Sequence, residues 1–203
     1  MYADNSENLK FNNLTANVNV RHQFDSLGKQ LSADIDYVTY STYSDQIFLN
    51  DVKLPDATVV YQDKQNGKLP SQIDIAALKV DYENPLNNSA KLDLGFKSSY
   101  TKTDNEAIYT ITQNDVTQDN YNLSNHFKYN EMINSLYGNF TKSYSKIDIQ
   151  AGLRFESTIL NGYQLGNLLK PSSTFNRTYH NLFPTLYLSY KLDSLSNNVL
   201  KLS

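Results

Sequence analysis

The chain has 203 residues, with 18 Lys and Arg against 21 Asp and Glu, a net charge of -3, no Cys and no Trp, yet 16 Tyr and 9 Phe. That length can bury a core in one large or two small domains. The near-neutral balance argues against nucleic acid as a partner, and the missing cysteines exclude disulfides and Cys-ligated zinc or iron–sulfur sites. Mean hydropathy is negative and no apolar run reaches about 18 residues, so no transmembrane helix is expected. A transmembrane strand is not excluded, because half of its residues face away from lipid.

The opening Met1-Tyr2-Ala3-Asp4-Asn5 has neither a basic n-region nor an apolar h-region, so no signal peptide is read there. The first patterned run is Leu14 to Phe24. Leu14, Ala16, Val18, Val20 and Phe24 fall on one face, interrupted by His22; Thr15, Asn17, Asn19, Arg21 and Gln23 fall on the other. That is the period of a strand, not of a helix. Leu31, Ala33, Ile35 and Tyr37 alternate with Ser32, Asp34 and Asp36. Ile73 to Tyr82 is a fainter run. Ala90, Leu92, Leu94, Phe96 and Tyr100 alternate with Lys91, Asp93, Lys97 and Thr101. Phe127 to Ser143 is faint again, and is read as a strand because its neighbours need pairing partners. Ile147, Ile149, Ala151, Leu153 and Phe155 alternate with Asp148, Gln150, Arg154 and Glu156. Leu182, Leu186, Leu188, Tyr190 and Leu192 close the series, and the chain stops inside the alternating run Asn198–Ser203.

The connections alternate in length. Asp25–Lys29, Pro85–Ser89, Tyr144–Lys146 and Asp193–Asn197 are short and rich in Gly, Asn, Asp and Ser, as hairpin turns are. Ser44–Pro70, Thr103–Ser124 and Thr158–Asn181 are long and are expected to be loops. Strict alternation predicts an all-β, antiparallel up-and-down meander of about eight strands, with tight turns on one rim and long loops on the other. Transmembrane barrels have such unlike rims. The aromatics fit two belts. Phe24, Tyr82, Tyr144 and Tyr190 lie beside tight turns, while Tyr37, Tyr40, Tyr43, Tyr100, Phe127, Tyr129 and Phe155 lie toward the long-loop rim. A soluble β-sandwich also alternates, but its strands are shorter and its connections are Greek-key.

Several segments resemble a known family. Leu78-Lys79-Val80-Asp81-Tyr82-Glu83-Asn84-Pro85-Leu86 followed by Ala90–Lys97 is similar to an "LDYxxPL…KLExGxK" hairpin. Ile149–Thr158 resembles an "xQAGLRxExT" strand, Asn181–Leu186 a "YxxLFPS" strand opening, and Asn198–Ser203 the first half of an "NxLxLSYSRR" strand. Together, from about Leu78 onward, they resemble the outer-membrane β-barrel family that includes TonB-dependent receptors. The resemblance implies a location in a Gram-negative-type outer membrane and a large active-transport barrel with an N-terminal plug and a TonB box. Residues 1–203 would then be a partial transmembrane barrel domain, with the plug, the TonB box and the remaining strands absent. Its partners would be outer-membrane lipid, the TonB complex acting through the missing N-terminal part, and a small extracellular ligand such as a siderophore or oligosaccharide. A soluble all-β binding or adhesion module and a small self-contained barrel are the alternatives.

Facing direction alone nominates the site residues. Arg21, Asp34, Asp36, Lys91, Asp93, Lys97, Asp148, Gln150, Arg154 and Glu156 would form a polar wall facing the lumen. Tyr61, Tyr109 and Tyr163 would stack on a ligand from the long loops, and Phe24, Tyr37, Tyr82, Tyr100, Tyr144 and Tyr190 would sit at the membrane interfaces. Pairs such as Asp34/Asp36 and Arg154/Glu156 invite an acid–base reading, but strand neighbours on one wet wall explain them better, so no catalysis is expected. His22, His126 and His180 are far apart in sequence and lack ligand spacing. Thr103–Asn120 is acidic and amide-rich but lacks the fixed spacing of a calcium loop. No P-loop or GxSxG motif is present, and neither a metal nor a cofactor is expected.

Overall fold

The computed structural model describes residues 2–55, 58–192 and 198–202. The regular elements within them are all strands: β1 (Tyr2–Gln23), β2 (Gln30–Lys53), β3 (Val59–Asn87), β4 (Ala90–Gln113), β5 (Val116–Asp119), β6 (Asn125–Ser143), β7 (Ile147–Leu165), β8 (Ser173–Lys191) and β9 (Val199–Leu202). They form one antiparallel sheet in the order β1-β2-β3-β4-β6-β7-β8-β9, with β5 folded back on β4. The meander is as expected, with nine strands rather than eight. Among the described residues β1 and β9 do not pair, so the sheet is open.

The tight turns are built locally. Asp25 Oδ1 accepts from the backbone N–H of Leu27 at 2.9 Å and of Lys29 at 3.0 Å, and Gly28 takes φ = 98°, a conformation open to Gly. Asn87 Oδ1 accepts from Ser89 N–H at 2.9 Å in the next turn, and Tyr144 N–H donates to Ile147 O at 2.7 Å in the third. The expected turn Asp193–Asn197 lies outside the described residues.

The expected long loops are mostly strand. β2 continues to Lys53 and β3 starts at Val59, so Ser44–Pro70 reduces to a connection at residues 54–58. Thr103–Ser124 becomes the end of β4, the hairpin to β5 and residues 120–124; Thr158–Asn181 becomes the ends of β7 and β8 around residues 166–172. Polar residues there do not break strands, because a sheet wet on both faces needs no apolar alternation. β3 alone has 29 residues, whereas a bilayer-crossing strand takes roughly 9–11.

Register divides the strands into two faces. Val20, Ala33, Val80, Phe96, Leu136, Phe155 and Leu182 form one continuous row across seven strands. The face they share is apolar toward the tight turns, and we call it the belt face. Most of its large side chains are exposed, Leu136 at 64% and Leu182 at 60%, and among the described residues no second layer covers the apolar side of the sheet. The belt runs obliquely. Tyr82 shares a row with Leu94, Gly138, Leu153 and Pro184, and Tyr190 lies six residues nearer the turn rim than Pro184. Six residues rise about 20 Å, and the four strand steps between β3 and β8 cover about 19 Å. The slope is about 45°, at the upper end of the strand tilt of membrane barrels.

Candidate functional site

The ten residues expected on the polar wall share the face opposite the belt. Asn19, Asp34, Lys79, Lys97, Ser135, Glu156 and Asn181 make one row there, and Arg21, Ser32, Asp81, Gly95, Tyr137, Arg154 and Phe183 make the next. Asp36 accepts from Asn17 Nδ2 at 2.6 Å, and Asp34 from Asn19. Lys91 bridges Glu83 at 2.7 Å and Asp93 at 3.0 Å. Arg154 pairs with Glu156 and donates from Nη2 to the buried Ser135 Oγ at 3.1 Å. Asp148 pairs with Lys191 at 3.5 Å, and Gln150 lies between Thr141 and Tyr187. Lys79 pairs with Asp81 at 2.5 Å. Lys97 stands directly opposite Lys79, and both line a hollow of ≈ 400 Å³ with Arg154, Tyr137 and Asn139. Asp81, Glu83, Asp93, Asp148 and Glu156 pair with cations of the wall, and Asp34 and Asp36 accept from asparagine amides, so among the described residues each of these carboxylates has a partner that does not titrate as a second acid.

Glycines give this face its aromatic cover, Gly67 lying beneath its partner Tyr109 as Gly95 and Gly162 lie beneath theirs. Gly95 lies directly across from Tyr137, whose ring occupies the space a Cβ would need, and Tyr137 Oη donates to Asp81 Oδ1 at 2.6 Å. Gly162 has the same relation to Phe175.

Farther from the tight turns the two faces exchange character. The belt face becomes polar: Thr39, Asp74, Lys102, Asn130, Asn161 and Asn176 form a row, followed by Ser41, Gln72, Asp104, Lys128, Tyr163 and Thr174. Asp104 bonds His126 Nε2 at 2.6 Å and Lys128 Nζ at 3.3 Å, and His126 Nδ1 lies 3.5 Å from Glu106. Partial burial pushes the Asp104 carboxyl up, but the hydrogen bonds from His126 and Lys128 outweigh it and hold the group below the ordinary carboxylate range. The opposite face becomes aromatic. Its rows are Asn13, Tyr40, Ile73, Thr103, Tyr129, Gly162, Phe175 and then Phe11, Thr42, Ser71, Asn105, Phe127, Gln164, Ser173.

This exchange corrects several expectations. Tyr61, Tyr109 and Tyr163 are on β3, β4 and β7, not in loops. Tyr61 and Tyr109 lie on the face opposite the belt, where Tyr61 Oη donates to Asp63 at 2.7 Å and Tyr109 Oη to Gln46 at 3.1 Å. Tyr163 has the parity of Leu153 and Phe155, so it lies on the other face. Tyr40, Phe127 and Tyr129 do not join the upper belt, because they lie one residue out of phase with it; Phe155 lies within it rather than at its rim. Tyr37, Tyr82, Tyr100 and Tyr190 are on the belt face at its two edges. Phe24, just beyond β1, meets Tyr82 edge-on at 6.5 Å, with Lys29 Nζ 5.8 Å and 5.9 Å from the two rings. Tyr144 is in the turn, 5.8 Å from Lys142 Nζ. His22 packs against Phe24 at 4.6 Å and His180 against Phe155 at 5.8 Å, both on the belt face. The phase of Met132, Leu136 and Phe140 within β6 was the signal that could have placed Phe127 and Tyr129.

The model of the outer membrane protein beta-barrel family matches residues 22–203. The chain belongs to that family. Its place is the outer membrane of the cell, and the apolar belt is the part of the barrel wall that meets lipid. Among solved structures, the siderophore receptor PiuA from Acinetobacter baumannii is similar at a TM-score of 0.60 and 12% identity, over 92% of this chain and 31% of that one. The ferric yersiniabactin uptake receptor FyuA from Yersinia pestis gives 0.48 at 14% identity, over 81% of this chain and 27% of that one. The ferric citrate transporter FecA gives 0.44 at 12% identity, over 81% and 25%. The barrel chain thus spans about a third of the length of PiuA, and the likeness at 0.60 is one of fold. No curated protein matches it.

Proposed function

We propose that the chain is a stretch of the wall of a TonB-dependent receptor that takes up a small extracellular ligand. The observation that carries this reading is the charged wall. Arg21, Asp34, Asp36, Lys91, Asp93, Lys97, Asp148, Gln150, Arg154 and Glu156 share the face behind the lipid belt, where only water or another part of the protein can solvate them. In this reading residues 1–203 are part of a larger barrel domain, consistent with the open sheet and the 31% share of PiuA. The tight turns face the periplasm, and the tall ends of β2, β3, β4, β7 and β8 wall the ligand mouth. Tyr61 and Tyr109 face that mouth, whereas Tyr163 faces outward. Phe24, Tyr82, Tyr144 and Tyr190 mark the inner interface and Tyr37 and Tyr100 the outer one, as amphipathic rings prefer. Energy comes from the TonB complex acting on a segment outside this chain. Membership of the family favours this reading over a soluble module, and the open sheet of the described residues favours it over a small closed barrel.

The test is ligand accumulation by cells carrying the whole receptor. Uptake should stop when the TonB-type partner is deleted or the proton gradient is collapsed. Passive, partner-independent entry would overturn the reading.

A further inference from the structure

Phe127, Tyr129 and Phe175 form a shelf on the face opposite the belt, beyond the charged wall. The Phe127 and Tyr129 ring planes differ by 23° and those of Phe127 and Phe175 by 16°, each pair with centroids 6.4 Å apart. The Phe175 ring lies over Gly162, which sits between Tyr129 and Phe175 in its row and has no side chain to part the rings. Phe175 is 42% exposed. Beside the shelf runs an uncharged polar strip: Thr103 is the direct partner of Tyr129, and Asn105 of Phe127. Ser71 Oγ donates to Asn105 Oδ1, which leaves the amide N–H groups of Asn105 free to donate.

Charge is the discriminating feature. The two rows that hold the shelf contain no Asp, Glu, Lys, Arg or His. The row nearest the wall holds only Glu131 and Arg177, one of each sign. An anionic chelate would meet no concentration of cations here, and most cations of the wall below are tied to carboxylates. A pyranose ring presents an apolar C–H face and a rim of hydroxyls. Flat aromatic rings match the first, and hydroxyl and amide groups match the second.

We propose that the Phe127–Tyr129–Phe175 shelf and the Thr103–Asn105 strip form a stacking subsite for a neutral, polyhydroxylated ring solute, with oligosaccharides as the class that fits. The proposal rests on the reading that this face lines the ligand mouth of an uptake receptor. It differs from that reading in naming the chemistry of the ligand.

The experiment uses the whole receptor in detergent and isothermal titration with maltohexaose, cellohexaose, xylohexaose and mannohexaose, with ferric citrate as the anionic comparator. At least one glycan should bind and ferric citrate should not. F127A and F175L should each weaken binding roughly tenfold, and F175Y should restore it to within about twofold. G162V should weaken binding by displacing Phe175. Heat-shifted gel mobility of each variant reports an intact barrel. Binding of ferric citrate but of no glycan overturns the proposal, as does a glycan that binds F127A and F175L as tightly as wild type. Those outcomes leave the uptake reading intact; that reading fails instead if the bound probe enters cells equally well without the TonB-type partner.

Discussion

At the scale of single residues, the wall depends on atoms that are absent. Gly95 admits the Tyr137 ring, and the ring brings its hydroxyl to Asp81. Gly95→Val should displace the ring and cost about 1–3 kcal/mol, from crowding plus the lost hydrogen bond. Tyr137→Phe removes only the hydrogen bond and should cost less; urea unfolding of the refolded barrel in detergent would rank the two. Equal costs would mean that the ring adjusts freely over a side chain. Asp104 provides a test by titration. Its carboxyl is held below the ordinary range by His126 and Lys128 despite partial burial. A depressed pKa contributes stability that is complete above the unfolded value of about 3.9 and is lost as pH falls through the folded value. Acidification through that range should therefore lower the melting temperature of the wild type more steeply than that of Asp104→Asn. Because Asp104 is a third exposed, solvent keeps the difference small.

At the scale of elements, alternation located β1, β2, β4, β7 and β8 where they cross the lipid belt, because there one face is apolar and the other wet. β3 and β6 alternate more faintly and are read from the need of their neighbours for pairing partners. Alternation failed beyond the belt. Gln46, Asn50, Lys64 and Asn66 read as loop by composition, yet they sit in an unbroken β2–β3 ladder in which side-chain pairs such as Asn50 Nδ2 to Asp63 Oδ1 at 2.8 Å do the work of packing. The β4–β5 hairpin was the most legible of the missed features. Gln113-Asn114-Asp115-Val116 is a two-residue turn between alternating runs, and Asn114 and Asp115 take φ of 47° and 61°. Positive φ at both central positions is the primed turn that suits strand twist. Asp115→Gly should be neutral or slightly stabilising, whereas Asp115→Val should cost about 1–2 kcal/mol through its Cβ. Limited proteolysis at residues 113–119 would report the difference. The polar wall was readable residue by residue for a simpler reason: parity is fixed within a strand, so the apolar partner of each charged residue declares its face. The aromatic shelf was not readable, since the same type of ring serves both faces and only phase against Met132 and Leu136 separates them.

At the scale of the whole molecule, the exchange of face character sets the height of the membrane. Below it, lipid meets Phe96, Leu136, Phe155 and Leu182; above it, the same face carries Asp74, Lys102, Asp104 and Lys128 in cross-strand pairs that need water. The oblique course of the belt means that height is read along the tilt, not along a row of register. Two substitutions on this one face measure the boundary. Leu136→Arg puts a cation within the belt and should cost about 2–4 kcal/mol of folding in bilayers, whereas Tyr163→Arg, on the polar side of the exchange, should cost about 0–1 kcal/mol. Both positions are exposed in the sheet, Leu136 at 64% and Tyr163 at 41%, so loss of packing within the protein does not separate them; the surrounding solvent does. Equal costs would place both residues in one medium and move the upper edge of the belt beyond Tyr163. Unequal costs in detergent micelles as in bilayers would tie the difference to the strand ladder instead, because a micelle adapts its thickness to the protein and a bilayer does not.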